Sequence, residues 1–182
     1  MDYAILLNKL STQGCKRILV TGAHRSGTTF ASSCIALALG IPFYPEENIK
    51  GGSLSLLAKF QKSHSTYVLQ APGLSVNCHK AEFDAVIFMS RNTTDIQASM
   101  DRILSKRVID FELARIGLQY GDSYYKQGLP RAKLNIFAEH QMAVIKNPMF
   151  LDYESLKVHR NWIEKEKRNN WHIRQISNPT SS

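Results

Sequence analysis

The chain has no apolar run long enough to cross a bilayer, which excludes a helical membrane span as its organising element. Residues Met1 to Leu10 include Asp2 and lack a basic n-region, so they do not read as a secretory signal. Cysteine is scarce and odd in number: Cys15, Cys34 and Cys78 have no metal-ligand spacing. That argues against a disulfide framework and a zinc site, fits a reduced, cytoplasmic setting, and leaves Cys34 as a core residue. No other metal-ligand cluster stands out. No internal repeat, low-complexity tract or linker divides the sequence. The 182 residues therefore suit one domain, 1–182, with a polar tail at 177–182 expected to be loose.

What is present is an ordinary globular composition, 43% hydrophobic, with a large positive balance of +8. Such a charge favours anionic partners, whether nucleotide, acidic substrate, nucleic acid or membrane surface, without choosing among them. The basic stretch from Lys157 to Arg174 interleaves Trp162 and Trp171, a pattern that can bind single-stranded nucleic acid. A charged helix with its tryptophan anchored in the core explains the stretch better, so nucleic acid is not the expected partner. Oligomeric state is not readable.

Strand-like and helix-like segments alternate. Tyr3, Ile5, Leu6, Leu7 and Leu10 suit a short amphipathic helix, and Ile18-Leu19-Val20 a buried strand. A helix is expected from Thr28 to the stop at Gly40, an extended segment at Ile41 to Pro45, and a helix after the cap candidate Ser53. Thr66 to Gln70 reads as a strand, Leu74 to Ala81 as a short helix, and Asp84 to Met89 as a central strand. Helices are expected over Thr93–Val108, 110–126 and 130–145, then a strand at Met149–Tyr153 and a charged helix from Glu154 to Arg168. The pattern predicts a three-layer α/β domain of the P-loop type, with a mostly parallel sheet flanked by helices. Ligands of such sheets sit at the carboxyl ends of the strands.

The chemistry centres on Gly22-Ala23-His24-Arg25-Ser26-Gly27-Thr28-Thr29. Glycines between a strand and a helix let several N–H groups turn inward, while the helix aims its positive end at the same point. The glycine spacing is Walker-like, but Thr28 stands where a nucleoside triphosphatase places lysine, and the cation is Arg25 inside the loop. Arg25-Ser26-Gly27-Thr28-Thr29 resembles the 5′-phosphosulfate loop of sulfotransferases that use 3′-phosphoadenosine 5′-phosphosulfate (PAPS), most closely in the tyrosylprotein and bacterial sulfotransferases. The plainer alternative is a generic phosphate loop of a kinase-like protein.

A second motif follows the central strand. Arg91 lies at its exit, and Asp95 and Ser99 share a helix face. An arginine fork and a serine hydroxyl at a strand–helix junction can grip a phosphate from two sides. Strand, Arg91, Asp95 and Ser99 resemble the 3′-phosphate motif of the same family, although Thr93 replaces its usual proline. Taken alone, an Arg91–Asp95 surface ion pair is the simpler explanation. Leu151-Asp152-Tyr153-Glu154-Ser155-Leu156 resembles a third family segment, in which the tyrosine helps hold the nucleotide base. A buried core aromatic is the alternative for Tyr153.

The resemblance implies sulfonate transfer from PAPS to a hydroxyl or amine acceptor, without metal. Arg25, Ser26, Gly27, Thr28 and Thr29 would hold the 5′ end, and Arg91 and Ser99 the 3′-phosphate. Arg174 is a candidate nucleotide contact in place of the family's missing glycine-rich segment. Glu46 and Glu47 occupy the place of an acidic pair that supplies the proposed base in tyrosylprotein sulfotransferases, and an ordinary solvated turn is the alternative. His24 and His79 are other base candidates. Gln70 stands where related bacterial enzymes often carry lysine. The acceptor is not legible in the sequence. A small P-loop kinase, a non-catalytic nucleotide binder and a nucleic-acid-binding module remain the competing functions.

Overall fold

The computed structural model describes residues 1–22, 25–50, 53–74, 77–92, 95, 98–99 and 147–162. The expected helices over 110–126 and 130–145, most of the helix after Thr93, and Arg174 lie outside them. So do His24 and Trp171.

The first helix, α1 (Tyr3–Thr12), is capped by the Asp2 side chain, which accepts the Ala4 N–H at 2.8 Å. Tyr3, Leu6 and Leu10 form its buried stripe, while Ile5 is exposed. Strand β1 (Arg17–Thr21) follows, then α2 (Thr28–Leu39), β2 (Phe43–Tyr44), α3 (Leu54–Ser63), β3 (Tyr67–Gln70), β4 (Ala85–Ser90) and β5 (Pro148–Asp152). Helix α2 ends where Gly40 enters the left-handed region at φ 64°. Ser53 precedes α3 but gives no side-chain cap; its hydroxyl pairs with that of Ser55 at 3.1 Å.

The strands form one parallel sheet in the order β2-β3-β1-β4-β5. Alternation along each strand divides its side chains between two cores. Ile18, Val20, Val68, Ile87, Met89 and Leu151 pack with α1 and α2 on one face. Leu19, Leu69, Val86 and Phe88 pack with Leu57 and Phe60 of α3 on the other. Both faces are covered, so the strands read as continuous apolar runs, and the architecture is a three-layer α/β domain with a parallel central sheet. No helix among the described residues is long and apolar enough to cross a membrane.

Two expected helices take another form. Leu74 to Ala81 is replaced by 3-10 turns at Pro72–Leu74 and Cys78–Lys80, with N–H groups of Leu74, Asn77 and Lys80 each reaching back three residues. The segment expected as a helix from Glu154 begins as a 3-10 helix, Tyr153–Val158. In that 3-10 helix Tyr153 and Leu156 face the α1–α2 core, and the extended His159 with the turn after it brings Trp162 onto the same core. Tyr153 therefore opens this turn instead of closing β5. The three cysteines are free and buried, and burial pushes the Cys34 thiol up to about 12, where it stays protonated and inert.

At the amino end of the sheet, Asp84 accepts the backbone N–H groups of Lys16 and Arg17 at 2.9 and 2.8 Å and faces the Arg17 guanidinium at 3.4 Å. Burial alone would raise its pKa, but the two amides and the guanidinium outweigh it and hold the carboxyl below its ordinary value. The charged form is the one the fold favours, so its stabilisation is present above the reference value of 3.8 and is lost as pH falls through the depressed folded value. Asp84→Asn is expected to lower stability by about 1 kcal/mol at neutral pH. Urea unfolding should show the gap to wild type closing as the solution is acidified below 3.8.

Candidate functional site

All five strands end at the same edge, and each delivers part of one constellation. The loop from Gly22 to Gly27 follows β1, Glu46 opens a 3-10 turn shortly after β2, Gln70 ends β3, Arg91 follows β4 and Tyr153 follows β5. The chain runs from β3, on one side of β1, to β4 on the other, so the loop sits where strand order reverses. In open α/β sheets that reversal leaves a crevice at the carboxyl ends.

The loop is shaped by backbone that side chains rarely adopt. Gly22 has φ 134° and lies so close to β4 that a Cβ would meet the Met89 backbone at 3.2 Å. Gly27 has φ 97° and stands at the N-cap of α2, where a Cβ would overlap the Tyr153 ring. Arg25, between them, is a non-glycine residue at φ 69°. Helix α2 carries no acidic residue in its first turn, an arrangement that suits an anion at its positive end. Ser32 and Ser33 bond back to the carbonyls of Thr28 and Thr29 at 2.7 and 2.9 Å. These buried hydroxyls are thus satisfied within the helix.

Arg91 binds this loop directly. Its Nη1 donates to the Arg25 carbonyl at 2.9 Å, and its guanidinium carbon lies 4.2 Å from the centroid of the Tyr153 ring. Its Nε is buried and, among the described residues, has no hydrogen-bond partner. A buried cationic N–H without an acceptor is costly, and an anion would satisfy it. The Arg25 Nε donates to the Ser99 hydroxyl at 3.2 Å, with Ser99 only 5% exposed. The Asn92 side chain accepts the Asp95 N–H at 3.3 Å, and Asp95, Ala98 and Ser99 are helical, which aims Ser99 at the loop. The structure therefore brings Arg91 and Ser99 up to the loop that carries Arg25, so that two cationic side chains border one crevice.

Tyr153 has a different place from the one the family resemblance implies. Its ring is 5% exposed, lies against Gly27 and Arg91, and is 5.2 Å from the Trp162 ring centroid. It is a core aromatic that supports the loop from beneath and presents no open face to a base. Trp162 also packs on Phe30, with centroids 5.7 Å apart, which makes it a core anchor.

The acidic pair divides. Glu47 is exposed. Glu46 is half-buried, its carboxylate accepts the Gly73 N–H, and its own N–H donates to Gln70 at 3.3 Å. Gln70 in turn donates to the Thr28 hydroxyl at 3.2 Å. Ser26 is fully buried in the loop, and Thr29 is half-buried at the start of α2. His79 is exposed on the Cys78–Lys80 turn. Among the described residues no group of three or more His, Cys, Asp or Glu side chains is placed to hold a metal ion. The sequence pattern missed the Gln70 and Gly73 contacts; the available signal was one polar residue ending the otherwise apolar run Tyr67-Val68-Leu69.

No protein-family model matches the chain. No curated protein sequence matches it either. Among solved structures it is similar to a deoxyadenosine kinase from M. mycoides with bound dATP, at 15% identity and a TM-score of 0.42, covering 91% of this chain and 100% of that one. A likeness at that level carries no argument about function.

The contact between Gly27 and Tyr153 yields a test of the loop. Gly27→Ala, at positive φ and against the ring, should cost about 3 kcal/mol. Gly14→Ala, at φ 61° with nothing near its missing Cβ, should cost about 1 kcal/mol. Thermal unfolding of the two variants measures the difference, and equal losses would mean the ring does not support the loop.

Proposed function

We propose that this P-loop protein is a nucleotide-binding transferase, and that it moves the sulfonate of PAPS to a hydroxyl- or amine-bearing acceptor. The observation that carries this reading is the approach of Arg91 and Ser99 to the loop containing Arg25. A nucleotide with phosphates at both its 5′ and 3′ positions needs cationic groups at two points, and simpler nucleotides do not. The substitution at the Walker lysine position points the same way. Thr28 is 3% exposed and its hydroxyl takes a hydrogen bond from Gln70, so this position supplies no cation to a triphosphate.

In this reading the loop amides, Arg25 and the α2 terminus hold the 5′-phosphosulfate. The acceptor oxygen attacks sulfur, the bond from sulfur to the bridging oxygen breaks, and charge gathers on the departing 5′-phosphate. Loop N–H groups and Arg25 stabilise that charge, and Glu46 takes the acceptor's proton. The products are a sulfate ester and adenosine 3′,5′-bisphosphate. Arg91 and Ser99 bind the 3′-phosphate, the Arg91 Nε gaining an acceptor that the described residues do not give it.

A second reading is phosphoryl transfer by a small P-loop kinase. It is favoured by Thr29, whose hydroxyl follows the glycine at the position that ligates magnesium in Walker loops. The readings separate cleanly in solution. Calorimetry should show adenosine 3′,5′-bisphosphate binding that survives EDTA and weakens about 100-fold in Arg25→Ala and Arg91→Ala, the loss of a charged hydrogen bond or two. Binding confined to ATP with magnesium would establish the kinase instead.

A further inference from the structure

Strand β3 ends in a side chain that serves two neighbours. The Gln70 Oε1 accepts the Glu46 N–H at 3.3 Å, and its Nε2 donates to the Thr28 Oγ1 at 3.2 Å. The side chain is 8% exposed. Its two partners belong to elements that do not pair in the sheet. Glu46 lies just beyond β2, and Thr28 opens α2 after β1, while β3 stands between those strands. Glu46 is also gripped at its other end, where its carboxylate accepts the N–H of Gly73, three residues after Gln70. One short piece of chain, Gln70 to Gly73, thus holds both the backbone and the carboxylate of Glu46.

The geometry points to Gln70 as a positioning residue that couples the Glu46 turn to the phosphate loop. The inference rests on the proposed role of Glu46 as base. A carboxamide suits this place because it accepts on one side and donates on the other. Lysine has three donors and no acceptor, so it would remove the acceptor that Gln70 offers the Glu46 N–H. Methionine matches glutamine in length and offers neither function. Glutamine therefore gives this position a bridging role that a cation could not take. Charge stabilisation rests with Arg25, and Gln70 sets the base against the loop.

The test has two arms. In the ligand-free protein, amide hydrogen exchange at Glu46 should quicken about tenfold or more in Gln70→Met and in Gln70→Lys, with Gly73 following, while core amides of β1 and β3 keep their protection. Unchanged exchange at Glu46 in both variants would overturn the coupling. In the transfer assay, Gln70→Met should lower kcat about tenfold or more with KM for PAPS within about threefold of wild type. Added to Glu46→Gln it should cost less than about threefold more, because the two residues act as one unit. Losses that multiply would show Gln70 acting apart from Glu46 and overturn the positioning role. If the wild-type protein transfers nothing from PAPS, the proposed reaction fails, and the exchange rates still decide the coupling.

Discussion

A guanidinium held between a loop carbonyl and an aromatic ring governs the geometry of this site. Arg91 donates to the carbonyl of Arg25, a residue in the left-handed region, and rests on the Tyr153 ring. That backbone conformation costs a non-glycine residue about 1 kcal/mol or more, so it persists where its surroundings fix it. Tyr153 sets the other limit by occupying the space a side chain at Gly27 would need. The loop is thus pinned by residues that follow β4 and β5, whose positions depend on the register of the whole sheet.

The sheet order explains how such distant residues meet. The chain crosses from β3, past β1, to β4, and both neighbours of β1 place polar side chains beside its loop. Gln70 arrives from one side, Arg91 from the other. The tie between the Thr21 hydroxyl and the Ala71 carbonyl, at 2.8 Å, fixes the level at which β1 and β3 release their loops. Beneath, two apolar cores hold the strands rigid, so the polar edge above them is preorganised.

Much of this was legible in the residues. Ile18 to Val20 and Asp84 to Met89 announce buried strands through unbroken apolar runs, and a glycine loop followed by hydroxyls marks the anion site. What escaped the pattern depends on neighbours distant in sequence. Gln70 reads as a missing cation until β3 is known to lie beside β1, when its carboxamide becomes a bridge. Tyr153 reads as a base contact until the 3-10 turn rotates it under the loop. The three-residue spacing of Tyr153, Leu156, His159 and Trp162 was in the sequence, but a charged stretch invites a helical period first.

The central claim is that the loop and the Arg91–Ser99 side of the crevice grip opposite ends of one doubly phosphorylated adenosine. A crystal structure of the protein with adenosine 3′,5′-bisphosphate tests it most directly. The account predicts the 5′-phosphate on the amides from Ser26 to Thr29, and the 3′-phosphate on Arg91 with Ser99 beside it. A 3′-phosphate pointing into solvent, out of reach of the Arg91 Nε and Ser99, would contradict it.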